Sequence, residues 1–448
     1  MCGICGEIRF DGTAPDVSAV DAMTCEMTRR GPDGSGVFSK GAVALGHRRL
    51  KIIDLSEKAQ QPMVDADLGL TLAFNGCIYN YPALRAELLD MGYRFFSHGD
   101  TEVIAKAYHA WGPSCVERFK GMFAFAIHER DTGRVMLARD RFGIKPLYLS
   151  QTPERLYFAS SLQSILKTGD VDTSIDREAL HHYMTFHAVV PAPLTIIEGV
   201  RKLPPATVRL IEPDGTFEDT VYWNPSYGPQ PGDEAMTADD WRDAVLESLR
   251  TAVERRMVAD VPVGVLLSGG VDSSLIVGLL AEAGQTGLST FSIGFEDANG
   301  EVGNEFEYSD LIARHYDTRH HKIFVPGSEL MENLPGAIAA MSEPMVSYDN
   351  IGFYLLSREV SKHIKVVQSG QGADEVFGGY HWYPPLAGAN DPLASYSTAF
   401  FDRNDETLRR HLSPEWHAGS DVSLDFVRAH FGQPGADDPV DKALRLDS

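Results

Sequence analysis

The thiol of Cys2 is the first group in the chain whose position implies chemistry. In Met1-Cys2-Gly3-Ile4-Cys5-Gly6, removal of Met1 exposes Cys2 as the terminal residue. Its freed α-amine, with a reference pKa of about 7.7–8.0, then takes the thiol proton as a built-in general base. Nucleophile and base belong to one residue, so no histidine partner is required. The Cys2-x-x-Cys5 spacing also admits a redox pair or half a metal site, but zinc asks for four ligands and no second CxxC or CxxH lies nearby. Cys5, in the apolar start of the first strand, reads as a buried structural residue.

The second group is a loop. Leu266-Leu267-Ser268-Gly269-Gly270-Val271-Asp272-Ser273-Ser274 follows an apolar strand and precedes an apolar helix over 275–283. The glycines let backbone N–H groups approach a phosphate, the serines add hydroxyl donors, and the helix N-terminus adds positive potential. Asp272 is suited to a Mg²⁺ that bridges phosphates. No lysine follows the second glycine, so this is not the GxxxxGK[ST] loop of kinases and GTPases. A glycine-rich turn with Asp272 capping a helix is the plain alternative. A second loop, Ser369-Gly370-Gln371-Gly372-Ala373-Asp374-Glu375-Val376-Phe377-Gly378-Gly379-Tyr380, also follows an apolar strand. Ligands of open α/β sheets sit beyond the carboxyl ends of the strands, so both loops are expected to line one site.

These groups need two kinds of scaffold. Residues 1–222 read as short apolar strands, among them 43–47, 70–74 and 156–160, interrupted by helical patterns at 81–91 and 101–111. Sheets covered by helices are expected there. Residues 223–236 are rich in Pro, Gly and polar residues and read as a linker. From 237 to 448 the rhythm becomes strand then helix, with a long helix over 238–258 and strands at 261–267, 289–295, 321–325 and 364–368. That alternation argues a parallel, doubly wound sheet. Beyond about Asp391 the chain turns polar and acidic, with helical fragments only.

Composition narrows the partners. A chain of 448 residues, 43% hydrophobic, holds enough apolar material for two or three cores. A formal charge of −23 repels nucleic-acid backbones and anionic membranes. There is no apolar leader and no run near the roughly 20 apolar residues of a membrane span. Five dispersed cysteines (Cys2, Cys5, Cys25, Cys77, Cys115) do not describe a disulfide framework. A reducing cytoplasm is the expected setting.

The motifs carry a resemblance. Besides MetCysGlyIleCysGly, the chain holds ArgGlyProAspGly (30–34), GlyHisArgArgLeu (46–50), PheAsnGly (74–76), IleTyrAsn (78–80), GlyAspThrGlu (99–102) and ArgAspArgPheGlyIleLysProLeuTyr (139–148). These resemble the class II glutamine amidotransferase domain, an N-terminal-nucleophile hydrolase built as an αββα sandwich. SerGlyGlyValAspSerSer resembles the loop of ATP pyrophosphatases. With the second glycine loop, residues 1–385 are similar to glutamine-hydrolysing asparagine synthetase. The resemblance implies a Rossmann-like second domain, with ATP and Mg²⁺, glutamine and a carboxylate acceptor as ligands, and a homodimer. It implies that Cys2 attacks the glutamine amide and that Asn75 and Gly76 form the oxyanion hole. Arg49 is expected to hold the substrate α-carboxylate and Asp100 its α-ammonium. Leu267, Ser268, Gly269, Gly270, Asp272, Ser273, Ile293, Ser369 and Gly370 are expected at ATP, with Gln371 at the acyl-adenylate.

Three departures accompany it. The usual NGE triplet reads Asn75-Gly76-Cys77. Gln371 stands where Glu is common and is no general base, while Ser347 replaces an acidic residue for which Asp349, two positions on, is the expected substitute. The family also continues past 438–448 into a helical portion, so the chain reads as a fragment. Aspartate is the leading acceptor. The alternatives are an offshoot that amidates N-acetylglutaminylglutamine, a fragment retaining only the glutaminase, and a non-catalytic sensor of glutamine or nucleotide. Retention of Cys2, Asn75, Gly76 and Asp100 with an intact phosphate loop argues against the last.

Overall fold

The computed structural model describes residues 1–228, 230–297 and 303–447, apart from the side chain of Tyr348. Pro229, within the expected linker, and Ser448 lie outside the described residues. The chain forms two compact units: residues 1–184, 189–225 and 405–420 make one, and 185–188, 226–404 and 421–448 the other.

The first unit holds two six-stranded sheets. In one, the strand Gly3–Arg9 runs antiparallel between Val43–Arg49 and Arg155–Ala159. In the other, Leu70–Ile78 pairs antiparallel with Gly121–Glu129. Ile4, Ile8, Val43 and Leu45 of the first sheet pack against Ala73, Ala124, Ala126 and Leu137 of the second, so the inner faces share one dry core. Each outer face is covered by helices. Val20 and Met23 of the helix Val17–Glu26 cover the first sheet, and Leu84, Leu88, Val103, Ile104 and Ala107 cover the second from the helices Tyr81–Asp90 and Asp100–Trp111. Strands buried on both faces explain why they read as apolar runs rather than alternating ones. The αββα sandwich expected from the sequence is present. The returning piece 405–420 is tied in by Asp405, whose carboxylate lies 3.2 Å from the ring of His181.

The second unit is built on a parallel four-stranded sheet, in the order Arg319–Val325, Ser289–Phe295, Val263–Leu266, Val366–Gln368. Helices cover both faces: Ala238–Arg255, Val271–Glu282 and Phe306–His315 on one side, and Tyr348–Val360 on the other. This is the doubly wound sheet expected. The polar C-terminal stretch, legible only as helical fragments, closes on an aromatic core. There the half-buried Asp447 carboxylate accepts from Trp382 Nε1 at 3.1 Å, from the Tyr383 hydroxyl at 2.7 Å and from the Tyr396 hydroxyl. Among the described residues no helix is long and apolar enough to cross a membrane.

Candidate functional site

The first unit gathers the expected glutaminase residues at one end of its two sheets. Pairing of Gly3 with Arg48 brings Cys2 alongside Leu50, whose N–H donates to Cys2 Sγ at 3.3 Å. Burial pushes the Cys2 thiol pKa up, with the Leu50 hydrogen bond opposing. Met1 is still attached, so the Cys2 nitrogen is an amide and cannot act as a base. The Met1 amine above it is pushed down to about 6, mainly by burial.

Facing strands and loops supply the rest. Asn75 is 1% exposed on the strand Leu70–Ile78. Its Nδ2 lies 3.5 Å from Ser160 Oγ and its Oδ1 has no partner. A side chain on Gly76 would meet the Met122 carbonyl at 2.2 Å, so the strand accepts only glycine there. Arg49, also buried, donates to the Ser56 carbonyl at 2.8 Å and to the Asp54 carbonyl. Among the described residues it has no ion pair, which leaves its charge available to a carboxylate ligand. Asp100 opens the helix Asp100–Trp111 and accepts the Ile78 N–H at 3.0 Å. Burial raises its pKa to about 6 against the lowering effect of backbone hydrogen bonds and Arg49. Cys77 is buried in electrostatic reach of Asp100 and Lys145, and burial raises its thiol pKa well above the ordinary value. Arg30, which donates to the Cys2 carbonyl at 3.1 Å, and Lys145 lie close by; neither carries a signal in the sequence beyond its motif.

In the second unit the two glycine loops follow Val263–Leu266 and Val366–Gln368, adjacent parallel strands paired through Val265 and Gln368. The strand order reverses between them, which makes this the switch point where open sheets bind ligands. A cavity of about 750 Å³ opens there. Leu267, Ser268, Gly270, Asp272, Ser273, Ile293, Ser369, Gly370 and Gln371 line it. Gly269 is not among these lining residues; its φ of +98° and a Cβ position only 2.6 Å from the backbone of Ser309 require glycine for the shape of the loop. Gly270 caps the helix Val271–Glu282 without a side-chain acceptor, which leaves the first-turn N–H groups uncapped. Asp349 lines the cavity, whereas Ser347 caps the helix Tyr348–Val360 by accepting the Asp349 N–H at 3.1 Å. Asp374, Glu375 and Tyr380 of the second loop also line it, and Glu305, Phe306 and Phe353 do so without having been singled out. The described lining thus carries five carboxylates, those of Asp272, Glu305, Asp349, Asp374 and Glu375, and no Lys or Arg.

Family models match both halves: a glutamine amidotransferase domain over residues 1–223 and asparagine synthase over 244–447. "Asparagine synthetase [glutamine-hydrolyzing] 3" of Bacillus subtilis is 30% identical, over 99% of this chain and 74% of the relative. A putative asparagine synthetase [glutamine-hydrolyzing] 2 of Methanocaldococcus jannaschii is 34% identical, over 85% of this chain and 76% of the relative. The chain belongs to the glutamine-hydrolysing asparagine synthetase family. It shares 36% identity with "Asparagine synthetase [glutamine-hydrolyzing] 1" of B. subtilis over 86% of its own length, but spans only 59% of that relative.

Within this asparagine synthetase family chain the two loops touch. A Cβ built on Gly370 would lie 2.9 Å from Asp272 Cβ and 3.1 Å from the Ser273 nitrogen. Gly370→Ala is therefore expected to push the loops apart and weaken nucleotide binding about tenfold, a loss on the scale of one good hydrogen bond. Glutamine hydrolysis should be unchanged. Nucleotide titration calorimetry beside a glutamate-release assay checks both; equal nucleotide affinity would show that the contact does not shape the site.

Proposed function

We propose that this chain is a glutamine-dependent, ATP-driven amidotransferase that converts aspartate to asparagine. The glutaminase chemistry belongs to residues 1–222 and the nucleotide chemistry to 237–448, joined by 223–236. The observation that carries the reading is that two glycine loops on adjacent parallel strands line one cavity, in a chain that also brings Cys2, Arg49, Asn75 and Asp100 to one end of a sandwich.

After Met1 is removed, the Cys2 α-amine takes the thiol proton and the sulfur attacks the glutamine side-chain amide. Asn75 Nδ2 and the Gly76 N–H would face the developing oxyanion. Arg49 and Asp100 would hold the α-carboxylate and α-ammonium as charge-assisted pairs. The tetrahedral adduct collapses to a thioester as its C–N bond breaks and ammonia leaves, and water then cleaves the C–S bond to release glutamate and restore the thiol. In the second unit the acceptor carboxylate attacks the α-phosphorus of ATP and pyrophosphate leaves. Ammonia attacks the acyl-adenylate and AMP departs. Leu267 and Ile293 would flank the base, and the loop N–H groups with Ser268 and Ser273 the phosphates.

Among the described residues no three His, Cys, Asp or Glu side chains converge on a metal position. Asp272 nonetheless fits a Mg²⁺ held jointly with phosphate oxygens, because that ion uses only one or two carboxylates and substrate phosphates. The ion would neutralise the phosphate charge that the acidic lining does not.

Gln371, which lines the cavity and donates its N–H to Ser369 Oγ at 3.3 Å, favours testing a second acceptor. Pyrophosphate release should be measured with aspartate and with N-acetylglutaminylglutamine, in the wild type and in Asp272→Asn. Aspartate-dependent release is expected, cut at least tenfold by Asp272→Asn with glutaminase activity intact. Release with the dipeptide alone would move the acceptor assignment to that offshoot. Glutamate release with neither acceptor active would leave only the glutaminase reading.

A further inference from the structure

The backbone around Lys145 is held at nearly every peptide. Asp140, 1% exposed, accepts the N–H groups of Phe123 at 3.0 Å, Ile144 at 2.9 Å and Lys145 at 2.9 Å. Arg139 donates to the carbonyls of Gly143 at 2.6 Å, Lys145 at 3.0 Å and Leu203 at 2.6 Å. Gly143 completes the turn at φ +65°. The turn thus fixes the direction in which the Lys145 Cα–Cβ bond leaves the backbone.

That direction is inward. Lys145 is 3% exposed, and its one hydrogen-bond contact among the described residues is with Met1 Sδ at 2.9 Å. A thioether is a weak acceptor, and a buried ammonium ordinarily has a carboxylate. The acid in its electrostatic reach, Asp140, already serves three backbone donors. Arg30 adds a second, half-buried cation: its Nε donates to the Cys2 carbonyl and its buried Nη2 has no partner. The Met1–Cys2 peptide therefore lies in the field of two cations with spare donors, Lys145 buried and Arg30 half-buried. The other charged or titratable groups facing it are Asp33, Asp100, Arg49 and the thiol of Cys77.

We propose that Lys145 is a positioning residue of the glutaminase reaction, a fixed buried cation that faces Cys2 once Met1 is gone and keeps its α-amine in the free-base form. This rests on the reading of Cys2 as the nucleophile. Protonating that amine would place a third positive charge beside Lys145 and Arg30, so the thiol proton has an acceptor waiting. Lys145 and Arg30 already help lower the pKa of the present Met1 amine, after burial, while Cys2 and Asp33 act the other way. Burial and Arg30 bring the Lys145 pKa down to about 8, so its charge is still present at pH 7.

The test is the pH profile of kcat/KM for glutamate release by the processed full chain. The amine, which works only unprotonated, shapes the acid limb together with Asp100, which titrates at about 6 and does not have Lys145 among the groups that shift it, so a move of the limb on changing Lys145 reports the amine. Lys145→Met removes a cation, so that limb should move up by about one pH unit, with roughly tenfold lower kcat/KM below it. Lys145→Arg keeps the charge and should leave the limb in place. A superimposable Lys145→Met profile, or an Arg variant that shifts as the Met variant does, overturns the proposal. Should Lys145→Met fail to fold, the wild type still decides: an α-amine of Cys2 that titrates at or above about 7.7, the free value, also overturns it. Cys2→Ala separates the two failures. Glutamate release by that variant refutes the nucleophile itself, whereas a dead Cys2→Ala with an unmoved Lys145→Met limb refutes only the role of Lys145.

Discussion

Cys2→Ala is expected to lower glutamate release from glutamine by about 10³-fold or more, while any amide synthesis fed with ammonium salts continues. The thiol, held by the Leu50 N–H at 3.3 Å, lies within electrostatic reach of both Arg49 and Asp100. Cys5 is the internal control. It is fully buried, lies 3.2 Å from the Thr24 hydroxyl and has its pKa pushed up to about 12 by burial, so it is no nucleophile. Cys5→Ser should leave kcat within a few fold of wild type. Glutamate release by Cys2→Ala at a rate comparable with wild type would end the assignment.

Asp100→Asn should separate function from stability. The carboxylate is expected to hold the substrate ammonium, so its loss should raise the glutamine KM by about 100-fold, the scale of a buried charge-assisted pair. The folded protein should nevertheless gain stability. The Asp100 pKa is raised from 3.8 to about 6 by burial, so the unfolded chain ionises first and the folded state loses stability as pH rises between those values. Above pH 6 the full penalty is present, on the order of 2–3 kcal/mol, and below about pH 4 there is none. Asn keeps an acceptor for the Ile78 N–H. Urea unfolding at pH 8 and pH 4 should therefore show a gain at pH 8 only. For the same reason the wild-type glutamine KM should climb as pH falls through about 6. A variant that is less stable at pH 8, or a KM flat across that range, would contradict the role given to Asp100.

The parts legible in the sequence were those set by local pattern. The strand Ser289–Phe295 was read with its observed ends because an apolar β-rich run sits between turn residues, and the phosphate loop was legible because its glycines and serines lie within seven positions. Groups that reach the sites from far along the chain were not. Lys145 meets Met1 across 144 positions, and Ser160 meets Asn75 across 85. Glu305 and Phe306 reach the cavity from a segment without a motif of its own. For Gly269 the sequence did not separate two reasons for a glycine, since one needed for a positive φ looks the same as one needed for a ligand. The roles of Asn75, Arg49 and Gln371 came from resemblance, because a single polar residue on a strand or loop has no spacing to interpret.

The lining of the cavity at the switch point also bears on how fast a nucleotide can arrive. Phosphate sites commonly draw their ligand in by long-range attraction, and salt then slows capture. Here five acidic side chains stand around the opening of a chain with formal charge −23, so a bare polyphosphate approaches uphill. Ionic screening should lower that barrier, and association should quicken with added salt. Encounter, then, favours nucleotide that arrives with its charge already masked by counterions, and the pool of free, uncomplexed nucleotide is discriminated against before any contact forms.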